Sequence, residues 1–324
     1  VDAETKVVLD TASTVSVSDA VSASEGADIA DVANATATYA GGVADAMASL
    51  YDTGSDVTTN LGKILTESGA ALAVTVNDAS GTLLATDLSG LQGHADVSGV
   101  TVSGAVMISG TESEITDALI TKSVGATLAS AVVGDTVGVD VAAVDLSAIN
   151  AKVASVTVTN AIDVNGDIAA VKALQALAGV TLPADYSVNL TDTGAVAVGD
   201  LSAVAGKTTG AVVLSGAISV SGTAAQLEAS FVSPASKVVA PLATITVTGD
   251  DSLSLASLKA INEATSGSIT VNNATKQANF SGAAADLVAA FDQVSGLSGA
   301  VSISDAPDLA ALKSINLATS GSIT

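Results

Sequence analysis

Cysteine, tryptophan and arginine are absent from this chain of 324 residues, and aromatic residues make up only 2% of it. Without cysteine, neither a disulfide framework nor a thiolate metal site can form. Without arginine, the bidentate contacts that hold phosphates and base edges are missing. The ten cations, all lysine, face 33 acids for a net charge of −23. A chain of that charge does not displace counterions from nucleic acid, and an anionic membrane surface repels it. No apolar run approaches the ~18–20 residues that span a bilayer. The expectation is therefore no nucleic-acid partner and no membrane span in this segment.

What is present is small and aliphatic. Hydrophobic residues reach 48% of the chain with three Phe and three Tyr among them, so the core rests on Ala, Val, Leu and Ile. Large aromatic anchors bury ~150–250 Å² each in ordinary globules; a core without them suits thin layers in close contact. An acidic, soluble surface of this kind limits self-association and suits secreted or halophilic proteins. The chain opens on "VDAETK" without Met, which is compatible with a removed leader or with an excised segment.

The sequence repeats itself. "SGVTVSGAVMISG" from Ser98, "ASVTVTNAIDVNG" from Ala154 and "GAVVLSGAISVSG" from Gly210 align without a gap. Their equal steps of about 56 residues are the self-similarity that marks a repeat architecture. A fourth copy, "SITVNNATKQANFSG" from Ser268, carries two extra residues in its turn. Each reads as a β-branched strand, a small turn and a second strand. A helix follows, with apolar residues five and nine positions after the closing glycine: Ile115 and Leu119, Leu227 and Phe231, Leu287 and Phe291. Val171 and Leu174 take these places in one copy; "YAGGVADAMASL", with Ala46 and Leu50, is an earlier, weaker one. A separation of four places such pairs on one helical face.

A second helix alternates with the first, marked by Leu88 with Leu91, Leu146 with Ile149, Leu201 with Val204, Leu258 with Ile261 and Leu312 with Ile315. Asp87, Asp145, Asp200 and Asp308 stand just ahead of its leucines, where an acid caps the first turn or complements the helix dipole. Strands ending in a polar turn, such as "VSVSDA" at Val15, "VTVNDA" at Val74, "ITVTGD" at Ile245 and "VSISDA" at Val301, precede several of these helices.

The expected fold is therefore an α/β repeat: an elongated, β-solenoid-like stack of strand–strand–helix–strand–helix units about 56 residues long, with Ala-rich helices covering one side. Irregular N-terminal copies occupy 1–97, and units follow at 98–153, 154–209, 210–267 and 268–324, the last incomplete. "ATSGSIT" at Ala264–Thr270 runs on into the next strand and helix, whereas at Ala318–Thr324 it is the last heptad of the sequence. The expectation is a window on a longer array; the alternative is an open end that docks on another copy.

The C-terminal stretches "SLASLKAINEATSGSITVNNATKQANFSGAAADLVAAF" and "DLAALKSINLATSGSIT" resemble repeats of very large cell-surface proteins of marine cyanobacteria, most clearly from Ile218 onward. The resemblance implies an extracellular, non-enzymatic structural or adhesive protein, and it brings no catalytic residues with it.

No residue pattern names a reaction. His94, the single histidine, lies in "LQGHAD" with Asp96 as its one close acid, and reads as part of a solvated helix-to-strand turn. Asp163, Asn165 and Asp167 resemble the start of a calcium loop. Ile168 then stands where the loop needs Gly, and Leu174 where it needs a bidentate Glu; the plainer reading makes Asp167 a helix cap. Turns such as "GDTVGVD" and "TGDDS" form no phosphate cradle, and no GxSxG elbow occurs. Sequons at Asn34, Asn189, Asn273 and Asn279 arise easily in this composition. No catalytic, cofactor-binding or metal residue is assigned. Loose calcium binding along acidic edges stays open, because that ion needs only clustered oxygens. The function expected is a structural cell-surface or filament protein with neighbouring copies or further repeats as end-to-end partners. The alternative is an adhesin module, calcium-dependent or not, that binds glycan or another cell surface.

Overall fold

The computed structural model describes residues 13–32, 35–126, 128–233, 237–249, 253–272 and 279–324. Two compact units divide the chain. One holds Val1–Thr136, Asp145–Asn160 and Leu177–Leu182; the other holds Val137–Val144, Ala161–Ala176 and Pro183–Thr324. Elements are numbered in chain order. In the first unit β1 (Ser13–Val17) pairs with β2 (Ala35–Tyr39), and β3 (Val43–Asp45), β4 (Leu72–Val76), β6 (Val97–Val102) and β8 (Gly125–Ala126) form a second sheet. A third runs β5 (Thr82–Leu84), β7 (Met107–Gly110), β9 (Ser130–Val133), β11 (Val156–Val158), β13 (Val180–Thr181). Its helices are α1 (Ala23–Ala30), α2 (Met47–Leu50), α3 (Thr59–Ser68), α4 (Ala85–Gly93), α5 (Glu112–Thr116) and most of α6 (Ala143–Asn150).

The second unit has a sheet of β10 (Asp140–Ala142), β12 (Asp163–Gly166), β14 (Ser187–Leu190), β16 (Val212–Leu214) and β18 (Val238–Val239). Another consists of β15 (Ala195–Ala197), β17 (Ser219–Gly222), β19 (Thr244–Val247), β20 (Ile269–Val271) and β22 (Val294–Ser295), and β21 (Phe280–Gly282) pairs with β23 (Val301–Ile303). Its helices are α7 (Ile168–Ala176), α8 (Val198–Ala205), α9 (Ala224–Leu227), α10 (Leu255–Glu263), α11 (Ala284–Phe291) and α12 (Leu309–Ala318). Strand pairing within the sheets is parallel throughout, and no sheet closes into a barrel.

Register explains why short, aromatic-poor strands hold. In one sheet Val141, Val164, Val188, Val212 and Val238 stand opposite one another in a single column. In the next, Val196, Val220, Ile245, Ile269 and Val294 do the same. All ten are buried. Branched side chains stacked at strand spacing fill a column without voids, and each contributes about 1.5–3 kcal/mol by leaving water.

Neighbours in these columns are separated by about 24 residues of chain, a length within the range of a single structural repeat. Helix starts recur at a longer interval. From Ala85 to Leu309 they average about 28 residues apart, still within that range. Helix starts therefore drift along the strand ladder by three or four residues per helix on average, with single intervals from 25 to 31 residues. β5, β10 and β15 each open a new sheet directly ahead of α4, α6 and α8. One ladder step beyond the last strands β8, β13 and β18, the chain is helical, in α6, α8 and α10. From β10 to β15 the chain thus runs through two ladder steps plus one newly opened strand with its turn. The stretches 98–153 and 154–209 hold five strands and two helices each, and 210–267 holds four strands and two helices among the described residues, not the three strands expected. The unexpected strands are two or three residues long, as in "DVA" of β10 and "AVA" of β15, too short to show a period. The two strands of each 13-residue motif do not pair with each other; β6 and β7, for example, belong to different sheets.

Two local devices bind successive coils. At three helix-to-strand corners a Thr-(Ser/Thr)-Gly triplet reaches back to the coil before. Thr265 donates its hydroxyl to the Ala243 carbonyl at 2.6 Å and accepts the Gly267 N–H at 3.0 Å. Thr208 donates to the Tyr186 carbonyl and accepts the Gly210 N–H in the same way, and Thr319 donates to the Gly299 carbonyl and accepts the Gly321 N–H. Along the helices, Lys172 pairs with Asp200 and Lys259 with Asp286, tying α7 to α8 and α10 to α11.

α5 and α9 continue as π-helical turns, Asp117–Thr121 and Glu228–Val232. The wider turn at α9 buries Ser230, within 2.5 Å of the Ser202 hydroxyl, and leaves Phe231 half exposed. Phe231 is therefore not the core residue its spacing suggested, whereas Leu119 and Phe291 are buried.

Candidate functional surface

The acids of this chain have a structural task. Five helices begin with a backbone N–H that donates to an aspartate from 21 to 31 residues further on. Ala23 donates to Asp45 at 3.0 Å, Met47 to Asp78 at 2.9 Å and Glu112 to Asp135 at 2.7 Å. Ile168 donates to Asp192 at 2.9 Å and Ala284 to Asp305 at 2.8 Å. Each acid ends or follows a strand, and its carboxylate meets the positive end of a helix that would otherwise leave that N–H unsatisfied. The sequence reading placed capping on Asp87, Asp145, Asp200 and Asp308. Of these Asp308 caps its own helix, accepting from Ala311 at 2.7 Å. Asp87, Asp145 and Asp200 lie inside the first turn, where they complement the dipole. Asp87 is buried and accepts the Gly54 N–H at 3.0 Å. The signal for the cross-coil caps was in the text: the acid of "VTVNDA" is Asp78 and that of "VSISDA" is Asp305.

Removing one such acid should show its share. Asp192→Ala is expected to lower stability by about 1 kcal/mol, the usual worth of a helix cap, because Asp167 still caps the same helix through Ala170. Urea midpoints read this against Asp185→Ala at an exposed position, expected within about 0.5 kcal/mol of wild type. Equal effects from the two would remove the cross-coil cap from the account.

Glu112, at the start of α5, is half-buried, and burial raises its carboxyl pKa above the ordinary glutamate value. A hydrogen bond from Thr116 at 2.7 Å opposes that shift, while Asp145 and Asp135 reinforce it. The folded chain therefore keeps this proton to higher pH than the unfolded chain does, and stability is lost as pH rises through that interval. Glu112→Gln keeps an acceptor for Thr116 and removes the charge. Its stability relative to wild type should be level below about pH 4 and move in the variant's favour toward pH 7. Paired urea titrations at the two pH values check this, and a difference independent of pH would refute it.

The other residues singled out by sequence are scattered. His94 lies in the turn between α4 and β6, half-buried, its Nδ1 accepting the Asp96 N–H at 3.3 Å. Asp163 and Asn165 sit in β12, while Asp167 accepts from Ala170 at 2.7 Å as a helix cap. The sequon at Asn189 falls in the middle strand β14, with its amide donating to Asp140 at 2.8 Å. Asn279 is exposed and accepts the Ala300 N–H at 2.9 Å. Asn34 and Asn273 lie outside the described residues. Tyr39 donates to the Gly26 carbonyl at 2.9 Å, and the Tyr186 hydroxyl accepts from Gln175 at 2.7 Å. Both tyrosines are buried, which raises their pKa. Phe280 and Phe291 pack edge to face at 5.3 Å. Tyr51 and Phe231 are half exposed.

Two grooves open in the second unit. One of about 550 Å³ is lined by Asp140, Asn165, Asn189, Thr191, Asp192 and Ser215. These carboxylate, amide and hydroxyl groups are suited to polar ligands, and strand register brings Asn165 and Asn189 together. The other, about 790 Å³, runs beside α10, α11 and α12 past Asn262, Glu263, Phe291, Asp292, Ser314 and Leu317. Among the described residues no group of three or more His, Asp or Glu side chains is placed to hold a metal ion. No described helix is long and apolar enough to cross a membrane. Compared with known protein families, curated proteins and solved structures, the chain matches none.

Proposed function

We propose that this is a non-enzymatic structural protein of the cell surface or an extracellular filament, in which coils stack in solenoid fashion and set length. Its partners on this reading are further repeats or neighbouring copies, end to end. One observation carries the reading: the chain's chemistry is spent on joining coil to coil. Columns of Val and Ile, the Thr hydroxyls of the Thr-Gly corners and the cross-coil Asp caps each link residues about one ladder step apart. A strongly acidic surface suits a secreted setting, and within that setting a lack of cysteine fits a large surface protein better than a small disulfide-stapled domain. Small-angle scattering tests the stack. A radius of gyration well above ~20 Å, the globular value for this length, is expected, and a value near 20 Å would sink the proposal. Labelling intact cells of the source for this protein tests the location.

The adhesin reading has one observation on its side, the polar groove beside Asn165 and Asn189. Glycan-array binding that vanishes in Asn165→Ala would put it first. The buried Tyr186 and Tyr39 offer no stacking platform for a sugar.

A further inference from the structure

We infer that the groove beside Asn165 and Asn189 is a binding site for a neutral saccharide unit. The inference rests on the second reading above, the adhesin, and names its ligand class and the groups that hold it. The groove lies within the second unit, and its volume of about 550 Å³ is that of a small-ligand site. Its floor is the outer face of the sheet that β12, β14 and β16 share. Val164, Val188 and Val212 are buried on the inner face, so Asn165, Asn189 and Val213, next to them in the chain, form a second column on the outer one. Strand spacing sets the two asparagines about 5 Å apart, a span that the hydroxyls of one sugar ring can bridge.

The polar groups of the groove divide into those already engaged and those that are not. Asp140 accepts the Asn189 amide at 2.8 Å, and Asp192 accepts the Ile168 N–H at 2.9 Å at the positive end of α7. Protein donors thus meet both carboxylates. The Asn165 side chain is half-buried and has no hydrogen-bond partner among the described residues. The hydroxyls of Thr193 and Ser215, both exposed, have none either. A half-buried amide in this state gains from a ligand that matches its donor and its acceptor together.

That match selects the ligand. Amide and hydroxyl groups both donate and accept, as the hydroxyls of a sugar do. A protonated amine only donates, and a carboxylate only accepts. An acidic sugar would also meet Asp140 and Asp192 with no lysine lining the groove, and like charges repel. Val213, half-buried beside Asn189 in the same column, offers apolar surface to ring C–H groups. No aromatic ring lines the groove, so stacking adds nothing. A few hydrogen bonds, each modest in net worth, put the dissociation constant in the millimolar range.

Amide NMR of the 324-residue chain, titrated with lactose, cellobiose and diacetylchitobiose, tests this, with digalacturonate and spermidine as acidic and amine probes. Expected are shifts around Asn165, Asn189, Thr193 and Ser215 that saturate with at least one neutral disaccharide and not with the charged probes. Asn165→Ala should weaken that binding about tenfold, the worth of one unmatched hydrogen-bonding group. Thr193→Trp fills the groove from an exposed position and should abolish binding with an unchanged circular dichroism spectrum. Should Asn165→Ala unfold, Thr193→Trp decides alone. Ser221→Ala, exposed on β17 in another sheet, should change nothing. No saturable shift from the three disaccharides at up to ~0.1 M, equal shifts from a charged probe, or indifference to a folded groove variant would each overturn the inference. Attachment of protein-coated beads to cells tests the adhesin reading separately. Attachment that survives Thr193→Trp would keep the adhesin and strike this site, and sugar-induced shifts without attachment would do the reverse.

Discussion

Gly267→Ala is expected to cost about 3 kcal/mol, more than a buried methyl group usually does, with unfolding moved to lower urea concentration and an unchanged slope. The corner that holds Gly267 runs so close to the preceding coil that a methyl group would overlap the Ala243 carbonyl, whose carbon lies 2.7 Å from the Cβ position. The obstacle is backbone, so no side-chain rotation relieves it. Moving that backbone strains both the Thr265 bond to Ala243 and the ladder from β19 to β20. Gly210 meets the Tyr186 carbonyl carbon at the same 2.7 Å and should behave alike. Gly199, in α8 with open space around it, is the control: alanine there should be neutral or stabilising by up to about 1 kcal/mol. A Gly267→Ala protein within about 1 kcal/mol of wild type would mean that the corner is looser than described.

The second large effect compares one substitution in two copies of a motif. Leu258→Ala should cost about 3 kcal/mol, within the range for emptying a sealed apolar site, since Leu258 is fully buried. Leu312→Ala at the matching position of α12 should cost under about 1 kcal/mol in the monomer, because that side chain is 38% exposed. Equilibrium unfolding at low micromolar concentration reads both. Similar costs would show that the coil after α10 is not what seals Leu258.

Much of the fold was legible. The α/β class and the strands that carry Val and Ile follow from side-chain periodicity, since each buried column requires an apolar residue at every ladder step. Leu146, Ile149, Leu201 and Val204 are buried where helical spacing placed them. Strand number was not legible. β10, β13, β15 and β18 are two or three residues long, and ladder partners, more than their own residues, make them strands. The caps were half legible. "NDA" and "SDA" were visible as turns, but local spacing gives no means of pairing Asp305 with Ala284 across a coil. Phe231 differs although Leu119, at the same offset and inside the matching π turn of α5, is buried, so spacing on the helix did not by itself separate the two. The polar groove at Asn165 was invisible, because only strand register sets Asn165 beside Asn189.

The mismatch between ladder step and helix interval works like a vernier. Its two scales, the shorter set by strand pairing and the longer by helix starts, come back into phase once per unit. That happens after two ladder steps and one newly opened strand. A single helix-bearing half cannot be gained or lost without leaving every later strand facing the wrong neighbour. On the stacking reading proposed above, the smallest exchangeable length is therefore two ladder steps with their newly opened strand, as a bricklayer's courses vary only by full bricks.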